Sequence, residues 1–319
     1  MATAGIHHVT ALASDPAENL DFYTRVLGLR LVKRSVNHDS PGVHHLYYAD
    51  AVGSPGTTLT FFPYPGARSG RPGRGQTTEV TFRIPASSVD YWTSRLRKEG
   101  VEGVSGPEER FGEPVVGFQD PDGLPLELVA VEDADDGVEP WEDSPVPPDR
   151  AIRGFAGVGV TVAGTDPTHR VLDEVLGLER GESSNGRTRY RAAGSGGRGP
   201  GTRLDLIVEP NGRGGRSSAG TVHHVAWRAA DEEEQEEIRR AAAEAGLGPT
   251  EPIDRFWFRS VYFREPGGVL FEVATDGPGF TRDESREELG SGLCLPPWLE
   301  DRREELEADL PPLEGAGDA

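Results

Sequence analysis

A chain of 319 residues with a formal charge of −21 has the length for one large domain or two of ordinary size. The acidic excess argues against nucleic acid or an anionic membrane as partner, because phosphate binding needs clustered Lys and Arg. The longest apolar runs are strand-length, so neither a membrane span nor a secretory segment is expected, and a cytoplasmic location is. The single cysteine, Cys294, excludes an intrachain disulfide framework and a cysteine-based zinc or iron–sulfur site. Lys33 and Lys98 are the only lysines. Acid excess with so little lysine reads as a halophilic surface, suited to molar salt that screens its self-repulsion. A GC-rich genome would account for the arginines but not for the acid.

The first expected element is a strand at "GIHHVTAL", apolar and carrying the adjacent histidines His7 and His8. A helix should follow. Asp15-Pro16-Ala17-Glu18 offers an N-cap acid, a proline at the first helical position and a carboxylate three residues after the cap. Leu20, Tyr23, Val26 and Leu27 give that helix an apolar stripe, and Gly28-Leu29 closes it with a left-handed residue. Strand-like runs lead on to "TLTFF". The same order recurs from "EVTFRI" to "PLELVAV", from "VGVTVA" to "RLDLIV" and from "HHVAWR" to "VLFEVA". The third helix opens on Asp166-Pro167, as the first does on Asp15-Pro16. Gly28, Gly100, Gly177 and Gly246 close the four helices at intervals of roughly seventy residues, so one βαβββ unit is written four times.

The expected fold is therefore α+β, with four βαβββ modules in two domain-like halves and curved sheets enclosing a site. The halves are residues 1–135 and 153–280, joined by an acidic, proline-rich linker at 136–152. A tail at 281–319 holds one amphipathic helix around Trp298–Leu310, expected to pack on the body. The stretches "GARSGRPGRGQ", "GSGGRGPG" and "NGRGGRSSAG" lack the Gly-Lys-Ser/Thr signature of a phosphate loop and read as surface loops.

The modules can be aligned on their last turns by counting six residues from Pro55, Pro121, Pro200 and Pro266. His224 then matches His8, Glu79 and Gly157, and Glu272 matches Phe61, Glu127 and Leu206. Only the first and fourth modules place imidazoles on the opening strand. Pooled, they offer His8, His224 and Glu272. Two neutral imidazoles and one carboxylate suit a divalent metal with open positions, Fe(II) above all, with Mn(II) or Zn(II) as alternatives. Units one and four must then meet in space. Glu79 and Glu127 look like the remnant of a second site whose partners, Gly157 and Leu206, cannot coordinate. His44 and His45 read as structural, and His38 and His169 as loop and helix-surface residues.

The segments "HHVT", "DFYTRVLGLRLVKRSVNHD", "RFGEPVVGFQDPDG", "HHVAW" and "PGGVLFEVATDGPGFTRDE" resemble the vicinal oxygen chelate superfamily of glyoxalases, bleomycin-resistance proteins and extradiol dioxygenases. Within it, the chain is most similar to dioxygenases that open hydroquinone rings. That resemblance implies metal ligation by His8, His224 and Glu272, and a pocket formed by His7, Thr10, His223, Arg255 and Tyr262. It also implies O2 and a small aromatic as the partners, and is compatible with a homo-oligomer. Two other functions belong to the same fold. One is a glyoxalase-like isomerase or lyase, which usually adds a fourth protein ligand where this chain is expected to have Phe61. The other is a non-catalytic binding protein, which lacks the full triad.

Overall fold

The computed structural model describes residues 2–132, 134, 137–193 and 199–313. The boundary expected at 135–136, the glycine-rich residues 194–198 and the end of the tail at 314–319 lie outside them. The βαβββ unit does occur four times. The first comprises β1 (Ile6–Ala13), α1 (Pro16–Asp21), β2 (Arg30–Asn37), β3 (Ser40–Ala49) and β4 (Thr58–Pro63). The second comprises β5 (Gln76–Pro85), α2 (Val89–Lys98), β6 (Ser105–Arg110), β7 (Glu113–Gln119) and β8 (Pro125–Val131). The third comprises β9 (Phe155–Val162), α3 (Asp166–Arg170), β10 (Leu178–Ser184), β11 (Arg187–Ala192) and β12 (Arg203–Val208). The fourth comprises β13 (Thr221–Ala229), α4 (Glu232–Glu244), β14 (Ile253–Asp254), β15 (Arg259–Arg264) and β16 (Leu270–Thr275).

Within each unit the first strand pairs in parallel with the last, and units join through antiparallel pairing of their first strands. Two eight-stranded sheets result, ordered β14-β15-β16-β13-β1-β4-β3-β2 and β10-β11-β12-β9-β5-β8-β7-β6. The first sheet thus combines units one and four, and the second combines units two and three. One continuous core draws on both, with Phe61, Trp227 and Phe271 from the first sheet and Phe82, Phe155 and Leu204 from the second.

The local signals account for these elements. Asp15 accepts hydrogen bonds from the amides of Ala17 and Glu18, satisfying two otherwise orphaned donors of the first helical turn. In the third unit the cap falls one residue earlier than expected: Thr165 precedes the helix and Asp166 lies in its first turn, where a carboxylate still favours the helix dipole. The closing glycines Gly28, Gly100, Gly177 and Gly246 have φ of 72°, 71°, 65° and 75°, a region any Cβ would strain. The tail runs through a helical turn at Pro297–Arg302 into α5 (Arg303–Asp309). It lays Leu299 and Leu306 against Val36 of β2.

Candidate metal centre

β1 and β13 lie side by side at the middle of the first sheet, with β16 next to β13. Register places Thr10 opposite His224, and Ala226 opposite Glu272. His8, His224 and Glu272 therefore converge on one face. His8 Nε2 lies 3.3 Å from His224 Nε2 and 3.5 Å from Glu272 Oε2. His224 Nε2 lies 2.9 Å from the same oxygen. All three side chains are buried.

The donor set fits a divalent ion. Bonds of about 2.0–2.2 Å to one first-row metal put neighbouring donors about 3 Å apart, as found here. Glu272 Oε2 is buried without a hydrogen-bond partner, while its Oε1 accepts from Ser260 Oγ at 2.6 Å. Burial by itself raises the Glu272 carboxyl, but His8 and His224 outweigh it and hold the group well below the usual range. The site thus offers one anion and two imidazoles to a cation.

The second histidine of each pair is held by the first. His7 Nδ1 lies 2.9 Å from His8 Nδ1, and His223 Nδ1 lies 2.8 Å from His224 Nδ1. Register shifts in β1 on either side of His8 relax the strict alternation that would turn His7 away. His7 packs beside the Phe258 ring.

In front of the triad lies a cavity of about 310 Å³. Of the other residues expected at the site, His223, Arg255 and Tyr262 line it. The His223 ring is exposed into this space. His7 and Thr10 do not line it. They sit buried behind the wall, Thr10 Oγ1 bonding Thr60 Oγ1 at 2.8 Å. Arg255 is held by Asp39 at 3.0 and 3.2 Å, and its guanidinium lies over the Tyr262 ring. Tyr262 stands edge-on to His224.

Some sequence expectations need correction. The turns of units one and three are one residue shorter than the others, so register places Thr60, not Phe61, at the position of Glu272. Phe61 packs in the core against Tyr23. The third unit likewise presents Asp205 rather than Leu206. Glu79, Glu127 and Asp205 are three acids, each engaged by an arginine. Arg187 holds Glu79 at 2.7 and 2.8 Å, Arg110 holds Glu127 at 2.6 and 2.8 Å, and Arg189 holds Asp205 at 2.8 and 3.1 Å. Guanidinium groups supply in the second sheet the positive charge that a metal would supply in the first.

His45 departs from expectation, since it lines the cavity with Tyr47, and His38, a loop residue as expected, lines it too. His38 is pushed down to about 4 by burial and by Arg255. The His44–His45 pair splits across the pleat. His44 bonds the Pro311 carbonyl of the tail at 2.8 Å, whereas His45 faces the site. Two-residue alternation with Tyr47 was the available signal. One further cluster among the described residues has ligand-type side chains, Asp283, Glu284 and Cys294. The Lys33 ammonium already occupies its centre, 2.8 Å from Asp283.

Paired βαβββ units with two histidines and a glutamate across central strands define a metal-centred class of protein. Residues 5–128 and 154–273 match the Glyoxalase/Bleomycin resistance protein/Dioxygenase superfamily, and the chain belongs to it. MhqO of Bacillus subtilis (strain 168), provisionally named a ring-cleaving dioxygenase, is 45% identical over 312 residues, covering 98% of this chain and 97% of that protein. The chlorohydroquinone/hydroquinone 1,2-dioxygenase of Sphingobium indicum is 35% identical over 310 residues, covering 95% and 94%. The crystal structure of a provisionally named dioxygenase from Bacillus subtilis superposes with a TM-score of 0.91 at 44% identity over 98% of each chain. Glyoxalase I from Zea mays, at 17% identity and a TM-score of 0.59 over 85% of this chain and 92% of that one, shares the fold.

Proposed function

We propose that the protein is a ring-cleaving dioxygenase acting on a hydroquinone-type aromatic, with Fe(II) as its ion. The observation that carries this reading is the convergence of His8, His224 and Glu272 on a cavity of ring-substrate size, with no fourth ligand-type side chain grouped with them among the described residues. Thr60 stands at the fourth position, and its hydroxyl is engaged by His45 and Thr10, which disfavours a four-ligand isomerase centre. The similarity to the hydroquinone 1,2-dioxygenase supports the substrate class.

His8, His224 and Glu272 would hold the ion, which would supply a Lewis-acid centre for the reaction of the aromatic substrate with O2. The protein's own groups do the rest. His224 must leave Nε2 free for the ion, so its proton sits on Nδ1 and is donated to His223 Nδ1. Neutral His223 then carries its proton on Nε2, facing the cavity. Partial burial and the neighbouring His224 push its pKa down to about 4, so at neutral pH it is a donor toward negative charge developing on a substrate oxygen. Burial raises the Tyr262 phenol, which stays protonated and acts as a second donor. The Arg255–Asp39 pair ties the turn after β2 to the fourth module across the cavity.

Metal analysis of anaerobically purified protein, followed by oxygen uptake with hydroquinones and catechols, tests this reading. Iron near one equivalent and O2 consumption with a substituted hydroquinone are expected. Rapid turnover of catechol with inert hydroquinone would reassign the substrate class. Activity on a thiol-conjugated aldehyde without oxygen uptake would reassign the reaction.

A further inference from the structure

A run of hydrogen-bonded side chains outside the His8–His224–Glu272 triad opens on the cavity. His45 and Tyr47 alternate along β3 and both face the cavity. Tyr47 Oη lies 2.6 Å from His45 Nδ1. His45 Nε2 lies 2.9 Å from Thr60 Oγ1, which is 2.8 Å from Thr10 Oγ1. Four side chains from β3, β4 and β1 thus form one run of hydrogen bonds. Hydroxyls donate and accept, so a neutral imidazole is satisfied on both nitrogens whichever way the run is ordered. Burial pushes His45 well below its ordinary range and Tyr47 well above. Both are neutral near pH 7.

The two ends of this run differ. Thr10 is enclosed in the wall, whereas Tyr47 lines the cavity. In the fourth module, Arg255 is already committed to Asp39. A ring anchored by one oxygen at the His8–His224–Glu272 centre brings a second hydroxyl into the cavity. Left unpaired there, that hydroxyl would lose its water hydrogen bonds without compensation.

We propose that Tyr47, held in place by His45, hydrogen-bonds the substrate hydroxyl remote from the metal centre and so selects dihydroxylated over monohydroxylated rings. The proposal rests on the ring-cleaving reading above. Tyr47 touches the substrate. His45, whose nitrogens are taken by Tyr47 and Thr60, is a positioning residue. Because the run can be ordered either way, the phenol presents an O–H or a lone pair as the ligand requires.

The test is anaerobic calorimetric binding of hydroquinone and of phenol to the metal-loaded protein, with metal content measured alongside. Wild type is expected to bind hydroquinone about tenfold more tightly than phenol. Tyr47→Phe and His45→Ala should each remove most of that preference and leave phenol affinity within about twofold. The double variant should lose no more than Tyr47→Phe alone, because the two residues act as one unit. His45→Gln, whose amide can still bond the Tyr47 hydroxyl, should recover part of the preference. Equal losses for both rings, an additive double variant, or an unchanged preference in Tyr47→Phe would overturn the recognition role alone. Metal-loaded wild type that binds neither ring would overturn the ring-cleaving reading and the recognition role together.

Discussion

His7 Nδ1 lies 2.9 Å from His8 Nδ1, and His223 repeats the arrangement toward His224 at 2.8 Å. The repetition explains why histidine is written twice on two strands. An imidazole that gives Nε2 to a metal carries its proton on Nδ1, and a buried N–H needs an acceptor. In each pair the preceding histidine provides it.

Replacing His7 by Phe removes that acceptor while keeping the buried volume against Phe258. Metal affinity should fall about 10–100-fold with the fold retained, as read by competition with a chromophoric chelator. Unchanged affinity would reduce His7 to a packing residue.

His8→Ala, His224→Ala and Glu272→Ala each delete one of three converging donors, so bound metal should fall sharply in elemental analysis. Glu127→Ala makes a sharp contrast. It leaves Arg110 in the second sheet without its bidentate partner, so stability should drop by about 1–3 kcal/mol with metal content unchanged. Retained metal in all three triad variants would refute the centre.

Burial pushes the Asp120 carboxyl up to about 7, despite bonds from the Leu124 amide and the Tyr23 hydroxyl. A carboxyl raised in this way takes up a proton on folding between its unfolded value, about 3.9, and its folded one. Its contribution is complete below about pH 4 and is lost as the pH rises through about 7. Between those limits the loss is on the order of 1.4 kcal/mol for each step of one in pH. Asp120→Asn should therefore flatten the decline of the urea midpoint between pH 4.5 and 8. Parallel wild-type and variant profiles would show that other groups set it.

The acidic surface gives a salt prediction. Withdrawing KCl from molar levels toward about 0.1 M should lower the Tm as self-repulsion loses its screening. A Tm that is flat or rises would refute the halophilic reading of this surface.

Much of this architecture was legible from local chemistry. The four closing glycines and the Asp15 cap are backbone requirements, and those depend only on near neighbours. The triad was legible because one unit is repeated, so His8 and His224 could be superposed without knowing how the sheets assemble. What remained hidden depended on register. A one-residue difference in turn length exchanges Phe61 for Thr60 and Leu206 for Asp205, and each exchange moves a side chain to the opposite face. Hence neither the Thr60 hydroxyl beside the site nor the carboxylate facing Arg189 could be read from turn positions. His45 was obscured for a related reason. A pair of adjacent histidines on a strand sends one to each face, and alternation groups His45 with Tyr47 without saying which face meets the site.

The strand order has a consequence for how the chain matures. Units two and three are contiguous in sequence and complete one sheet between themselves, whereas the sheet holding the triad needs the first and fourth units. His8 and His224 are 216 residues apart. During synthesis β1 leaves the ribosome early and must wait, its neighbouring edge unpaired, until β13 and β16 emerge. The internal sheet can fold in the meantime. A nascent chain thus presents an isolated imidazole pair for most of its translation and a complete chelating set only near the end. Any metal held by His8, His224 and Glu272 could then be taken up only after β16 has been made.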